Sequence, residues 1–257
     1  MPAERIWIAF YTMVRKEFVR ILRIWSQTLL PPAVTTALYL IVFGTFIGSQ
    51  LPPIHGVSYI AFIVPGLIMM TIITSSYSQG VFSMYFSKFT RTIEEILVSP
   101  TPNWVVISGF VGGGIMRGVL VGIVVLIISL FFAPIAIANV FVVALALLLT
   151  ATLFSFAGLL NGMFAKSFDG VNLIPTFVLT PLTYLGGVFY SIEQFPPFWQ
   201  QVSLLNPILY MVNAFRYGFL GTSDVPLWVC FSVLITLTVV MATITAYLFK
   251  KGIGIRN

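Results

Sequence analysis

From Ile24 to Ser87 the chain runs 64 residues without an Asp, Glu, Lys or Arg. A helix crossing a hydrocarbon core about 30 Å thick needs about 20 mainly apolar residues, so a run of this length must cross more than once. The break "GSQLPPIHG" at 48–56 divides it into expected spans at 28–47 and 57–80. Further charge-poor runs predict spans at 104–132, 139–164, 171–190 and 226–249, with Lys166 and Asp169 closing the fourth and Pro175 and Pro181 bending the fifth. The composition agrees: 59% of residues are hydrophobic and 8% charged, against about 25% charged in soluble domains. The expected fold is a single all-α integral membrane domain over 1–257 with six transmembrane helices. One cysteine, Cys230, and one histidine, His55, supply neither a disulfide framework nor a protein-only metal site.

Six spans put both termini on one side. With the termini inside, Arg5, Arg15, Lys16, Arg20, Arg23, Lys88, Arg91, Lys166, Lys250, Lys251 and Arg256 all fall on inner segments, and only Arg117 and Arg216 fall elsewhere. That asymmetry sets orientation and makes the net charge of +6 a matter of anionic lipid rather than nucleic acid. Positive charge extends to Arg23 before a run long enough to span, so the N-terminus is not read as a cleaved signal peptide.

Residues 4–26 carry Phe10, Met13, Val14, Phe18, Ile21, Leu22 and Trp25 at helical spacing, with Arg5, Thr12, Lys16, Arg20 and Arg23 opposite. This pattern predicts an amphipathic helix lying on the membrane surface. Glu17 projects on its apolar side, where a carboxylate needs either a partner on a neighbouring helix or subunit, or a route to water.

A second amphipathic stretch, "KFTRTIEEILVSPTP" at 88–102, follows the second span. Phe89, Ile93, Ile96 and Leu97 share a face, Thr92 and Glu95 have capping-box spacing, and Pro100 and Pro102 end the helix expected over 88–99. Pairing of Arg91 with Glu94 or Glu95 along the helix is worth only about 0.2–0.5 kcal/mol and does not explain the charge cluster. Either the charges keep an ordinary loop in water, or the helix is a knob presented to a soluble partner.

The segment 180–221, above all "LLNPILYMVNAFRYGFLG", resembles the type-2 ATP-binding-cassette permeases, the membrane subunits of bacterial export systems. The six-span layout and both amphipathic helices extend the resemblance over nearly the whole chain. It implies that 88–99 is a coupling helix seated in the cleft of a cytoplasmic ATPase, through Phe89, Arg91, Ile93, Glu94, Glu95 and Leu97. It further implies that 191–222, with Asn206, Pro207, Tyr210 and Arg216, is an external re-entrant segment between spans five and six; the charges of Arg216, Glu193 and Asp224 at that end are themselves read as a local ion pair that shapes it. Two permease copies would pair with two ATPase copies in a bacterial inner membrane, with ATP and magnesium bound by the partner and no cofactor in this chain.

The residues themselves agree on what is missing. No Gly-Lys-Ser or Gly-Lys-Thr occurs, so no phosphate-cradling loop is present. Gly114, Gly118 and Gly122, and the pair Gly158 and Gly162, have the spacing of close helix packing. Arg117 lies within the third span and, with Tyr184 of the fifth, is a candidate either for the substrate path or for a structural contact. An ion-coupled secondary transporter or channel working without an ATPase is the alternative reading, opposed by the lack of acids inside the spans. An intramembrane enzyme would need a paired-acid or Ser-His set that cannot be assembled. The cargo, a small molecule or a lipid-like compound, is not encoded in any recognisable motif.

Overall fold

The computed structural model describes residues 3–54 and 56–255, so the expected loop residue His55 lies outside the described residues. The helices in chain order are α1 (Ala3–Arg23), α2 (Trp25–Gln50), α3 (Tyr59–Phe89), α4 (Thr92–Val98), α5 (Asn103–Leu130), α6 (Val140–Phe164), α7 (168–184), α8 (Pro197–Leu204), α9 (Pro207–Leu220) and α10 (Leu227–Lys251). No β-strand occurs among the described residues; Ile54 and Val57 form an isolated bridge at the turn after α2. Five helices, α2, α3, α5, α6 and α10, are long and apolar enough to cross a membrane.

The fifth expected crossing departs from the prediction. In place of a bent helix over 171–190, α7 starts three residues earlier and ends six residues sooner: it is α-helical over Phe168–Ile174, π-helical over Pro175–Leu179 and α-helical again over Thr180–Tyr184. Pro175 and Pro181 lack the N–H that continues an α-helix and crowd the carbonyl four residues back, which widens the turn between them. At the end of the π turn the Pro175 carbonyl accepts both the backbone N–H of Thr180 and, at 2.9 Å, its hydroxyl. α2 changes in the same way, from α-helix at Leu30–Tyr39 to π-helix at Leu40–Ile47. α3 extends nine residues beyond the expected 80, so Lys88 and Phe89 end a long helix instead of opening a short one.

α3 is the centre of the bundle. Of its most apolar window 72% is buried, against 17% for α2 and 11% for α10, which turn most of their surface outward. Its most extensive partner is α6. The two backbones touch: a Cβ on Gly80 would stand 2.5 Å from the Ser155 carbonyl oxygen, and one on Gly158 would overlap the carbonyl of Tyr77. Without these glycines neither helix could approach so closely.

α5 is narrowed on two sides. Gly114 and Gly118 receive the hydroxyls of Ser155 and Ser76, while Gly109 and Gly113 receive Met13 and Glu17 of α1. α1 therefore packs on α5 through Met13 and Glu17, with Ile21 also buried and Phe18, Leu22 and Trp25 left exposed. This corrects the face assignment made from the sequence: Trp25 belongs to the next helix, past a bend at Ile24, and Arg20 turns inward beside Glu17. At the end of the bundle where α1 sits, a separate apolar cluster joins Met84, Ile93, Val106, Phe110, Met163 and Phe249.

Candidate functional site

The stretch around α4 begins with a reversal. Arg91 adopts a left-handed conformation, φ 58°, which separates α3 from α4 and places Arg91 at the N-cap with no side-chain capping bond. The capping box expected between Thr92 and Glu95 does not form; the Thr92 hydroxyl instead lies 2.9 Å from that of Thr90. Ile93 is buried in the apolar cluster described above, and Ile96 and Leu97 pack against it. These side chains, expected to face a partner, are used inside the chain because the exposed ends of α3, α5 and α6 offer them Met84, Val106 and Met163. What faces outward is Phe89, 64% exposed, with Arg91, Glu94, Glu95 and Val98, 86% exposed. Phe89 and Tyr85 both lie against the Phe168 ring. Beside them a hollow of about 420 Å³ is lined by Lys88, Arg91, Glu94 and Lys166. The Lys88 ammonium donates to the Met163 carbonyl, tying the end of α3 to the end of α6.

The second site is a buried polar network. Glu17 is 1% exposed, and its Oε2 accepts from the Ser83 hydroxyl at 2.7 Å, from Gln79 Nε2 at 3.0 Å and from the guanidinium of Arg20. Arg20 also donates to Ser83. Gln79 carries the chain onward, since its Oε1 accepts from Arg117 Nη1 at 3.3 Å. Thus one line of contacts runs from α1 through α3 to Arg117, about halfway along α5. A buried carboxylate is tolerable only with such partners. Of the two routes open to Glu17 in the sequence, it takes the neighbouring helix of its own chain.

At the opposite end α9 carries Arg216, 1% exposed. Its guanidinium lies 3.8 Å from the Phe62 ring centroid, and its Nη2 donates to the Gly187 carbonyl at 2.6 Å. The expected charge grouping persists as an attraction of Asp224 on Arg216, while the direct contacts of the guanidinium are this ring and this carbonyl. Glu193 is exposed, and the Asp224 carboxylate accepts from the Ser191 hydroxyl at 3.0 Å and the Ile192 amide at 3.2 Å, capping a short 3-10 turn. An aromatic face and a carbonyl hold Arg216 because both are offered where α3 and the turn after α7 converge. Asn206 caps α9 by accepting from the Ile208 amide at 3.0 Å, with Pro207 in its first turn, and donates to the Leu182 carbonyl inside α7 at 2.6 Å. Tyr210 donates to the Leu204 carbonyl at 2.7 Å, which fixes α8 against α9. Tyr184 and Tyr39 share a hydroxyl contact of 2.8 Å beside the ring of Phe189.

The structure thus brings Glu17 and Arg117 into one network and keeps α4 and Arg216 apart from it. Gln79, Ser83 and Thr36 were not singled out in the sequence. Their sign was present only as polar side chains in apolar runs, with nothing to pair Gln79 and Ser83 to Glu17. No group of three or more His, Cys, Asp or Glu side chains able to hold a metal occurs among the described residues.

Residues 8–220 match the family described as ABC-2 type transporter. The inner membrane transport permease YadH of Escherichia coli strain K12 is 55% identical over 98% of this chain and 98% of its own. Nodulation protein J of Neorhizobium galegae is 23% identical over 84% of this chain and 81% of its own, and that of Rhizobium meliloti 21% over 84% and 82%.

Proposed function

Because the chain belongs to the ABC-2 type transporter family, and so is a multi-pass membrane subunit of an ABC transport system in the inner membrane, we propose that it forms the export path of a two-plus-two complex. In this reading two copies pair with two cytoplasmic ATPase subunits, which bind ATP and magnesium. α7 is the fifth of six crossings despite its 7, 5 and 5 residues, because a shorter helix is accommodated by local thinning of the bilayer. Both termini and α4 then lie on the cytoplasmic side, α1 lies along that surface, and 191–222 folds back into the outer half of the membrane. The bond from Asn206 to Leu182, inside α7, supports a segment that returns below the end of that helix.

The observation that carries the proposal is the use of α4's apolar side within the chain. A loop helix whose Ile93 is buried at home, and whose Glu94, Glu95 and Val98 face out beside Arg91 at its cap and Phe89 at the end of α3, is a rigid knob suited to a charged cleft. Such rims fix orientation more than they add affinity. Coupling then passes through two rigid joints, the Lys88–Met163 bond and the α1–α5 contact.

The test is co-expression with candidate cytoplasmic P-loop ATPases of the ABC class from the same genome. A complex with two copies of each chain, transporting only when ATP is hydrolysed, is the expected result. A monomer that transports in liposomes under an ion gradient alone would overturn the proposal.

A further inference from the structure

Two hollows meet at Arg117. One, of about 280 Å³, is walled by Gln27, Thr35 and Thr36 of α2, Thr71 and Thr74 of α3, and Arg117. The other, of about 410 Å³, shares Gln27 and Arg117 and is completed by Arg20, Ile24, Phe82 and Phe86. The guanidinium between them is under-used. It makes one long bond, to Gln79, and its Nε is buried without a partner. Across the first hollow the Thr36 hydroxyl, on a residue 1% exposed, is also without a partner. Two unsatisfied donors on different helices, bordering one hollow, are costly in an empty site and are explained by an acceptor that occupies it.

The charges define that acceptor. The three donors on Glu17 all meet its Oε2, no carboxylate forms a salt bridge with Arg117 among the described residues, and the charged side chain that shares its hollow is Arg20, also cationic. Between two guanidinium groups an anionic acceptor is favoured over a neutral one. The second hollow adds an apolar wall, and Phe82 and Phe86 are 40% and 51% exposed, so that wall opens sideways from the bundle. A free anion would gain nothing from these rings, whereas an acyl chain would be covered by them.

We propose that this site binds an anionic amphiphile, with a phosphate or carboxylate head on Arg117, Gln27 and Thr36 and an apolar tail along Ile24, Phe82 and Phe86. The inference rests on the reading of the chain as an export permease and names the substrate class its path would take. A head bound at Arg117 also touches the end of the network that reaches α1, so occupancy is felt at the surface helix through Gln79 and Glu17.

The test titrates the purified permease–ATPase complex, in neutral detergent, with dodecyl phosphate, inorganic phosphate and a dodecyl glucoside, reading bound ligand by native mass spectrometry. Dodecyl phosphate should bind, and the other two at least about ten-fold more weakly, since each lacks one half of the match. Arg117→Gln should weaken dodecyl phosphate about ten-fold or more and Thr36→Val about three-fold, while Lys251→Gln leaves it unchanged. Thr36→Val removes only a hydroxyl and keeps the test alive where Arg117→Gln fails to fold. Equal binding of dodecyl phosphate and the glucoside, or binding indifferent to both substitutions, overturns the site. Inorganic phosphate binding as tightly as the amphiphile overturns the tail. A second titration in nanodiscs, with phosphatidylglycerol replacing phosphatidylcholine, separates sources: competition by phosphatidylglycerol marks a resident lipid of the membrane and overturns the cargo reading. Failure of the two chains to associate on a sizing column is a separate result, which removes the exporter proposal while ligand binding by the permease alone is still measured.

Discussion

Glu17→Ala separates the buried network from the amphipathic surface of α1. Three donors converge on one carboxylate oxygen, two of them on Gln79 and Ser83, which are 3% and 0% exposed. Arg20 is 29% exposed and turns to water when its partner is lost, so its share is that of a partly screened pair, about 0.5–1 kcal/mol. Gln79 Nε2 keeps a 3.3 Å contact to Ser83, which places the cost of the two buried donors at the low end, roughly 1 kcal/mol each. The sum, about 2.5–3 kcal/mol, shifts the docking equilibrium of α1 on α5 by roughly 70- to 150-fold. Amide hydrogen exchange of the protein in nanodiscs reads this directly, as faster exchange of residues 4–23 with little change in α3. Glu17→Gln keeps an acceptor and the shape, and should fall between Glu17→Ala and wild type. Lys16→Ala, on the exposed side, should leave exchange unchanged. If Glu17→Ala and Lys16→Ala exchange alike, the network does not hold α1.

Three further outcomes are expected. Ile93→Ala with Leu97→Ala should lower the thermal stability of the isolated permease, because buried large-to-small changes cost about 2–5 kcal/mol each at full burial; an unchanged melt with weakened ATPase binding would mean that these side chains face the partner after all. Glu94→Lys with Glu95→Lys should leave insertion and melting intact but uncouple ATP hydrolysis from transport in the reconstituted complex, and wild-type coupling would reduce the cluster to a solvated loop. Gly158→Leu should prevent recovery of folded protein, since its side chain must displace the Tyr77 backbone, whereas Gly112→Ala, whose Cβ meets only Val14 at 3.8 Å, should be recovered at wild-type yield.

How much of this was legible in the sequence depended on what kind of pattern carried it. Charge-free runs located α5, α6 and α10 within two residues at either end, because hydrocarbon thickness acts on each helix separately. α3 was underestimated because Phe82, Ser83, Met84 and Tyr85 continue a helix that the bilayer does not require, so no rule of span length reaches Phe89. The break in α7 was foreshadowed by Pro175 and Pro181, yet its π turn depends on where the freed carbonyls find donors. Glu17 stood out as a carboxylate on an apolar face; its partners did not, since Gln79 and Ser83 lie more than 60 residues away and only the folded chain joins them. Periodicity also correctly marked Ile93 and Leu97 as one face but was silent on which protein covers it. Arg216 was drawn toward Asp224 by charge alone, while the ring of Phe62 and the Gly187 carbonyl lay outside any charge-based reading.

The glycines on two faces of α5 have a mechanical consequence. Where side chains mediate a contact, a neighbour's displacement is absorbed by rotamer changes over the first ångström or so, and little reaches the far side. Gly109 and Gly113 seat Met13 and Glu17 of α1 directly on the α5 backbone, and Gly114 and Gly118 do the same for Ser155 and Ser76, so each contact holds one side chain where two would normally meet. Contacts this close transmit strain with little damping. α5 therefore behaves as a stiff shim, and a small tilt of α1 must arrive at α3 nearly undiminished, within one helix diameter and with no hinge in between.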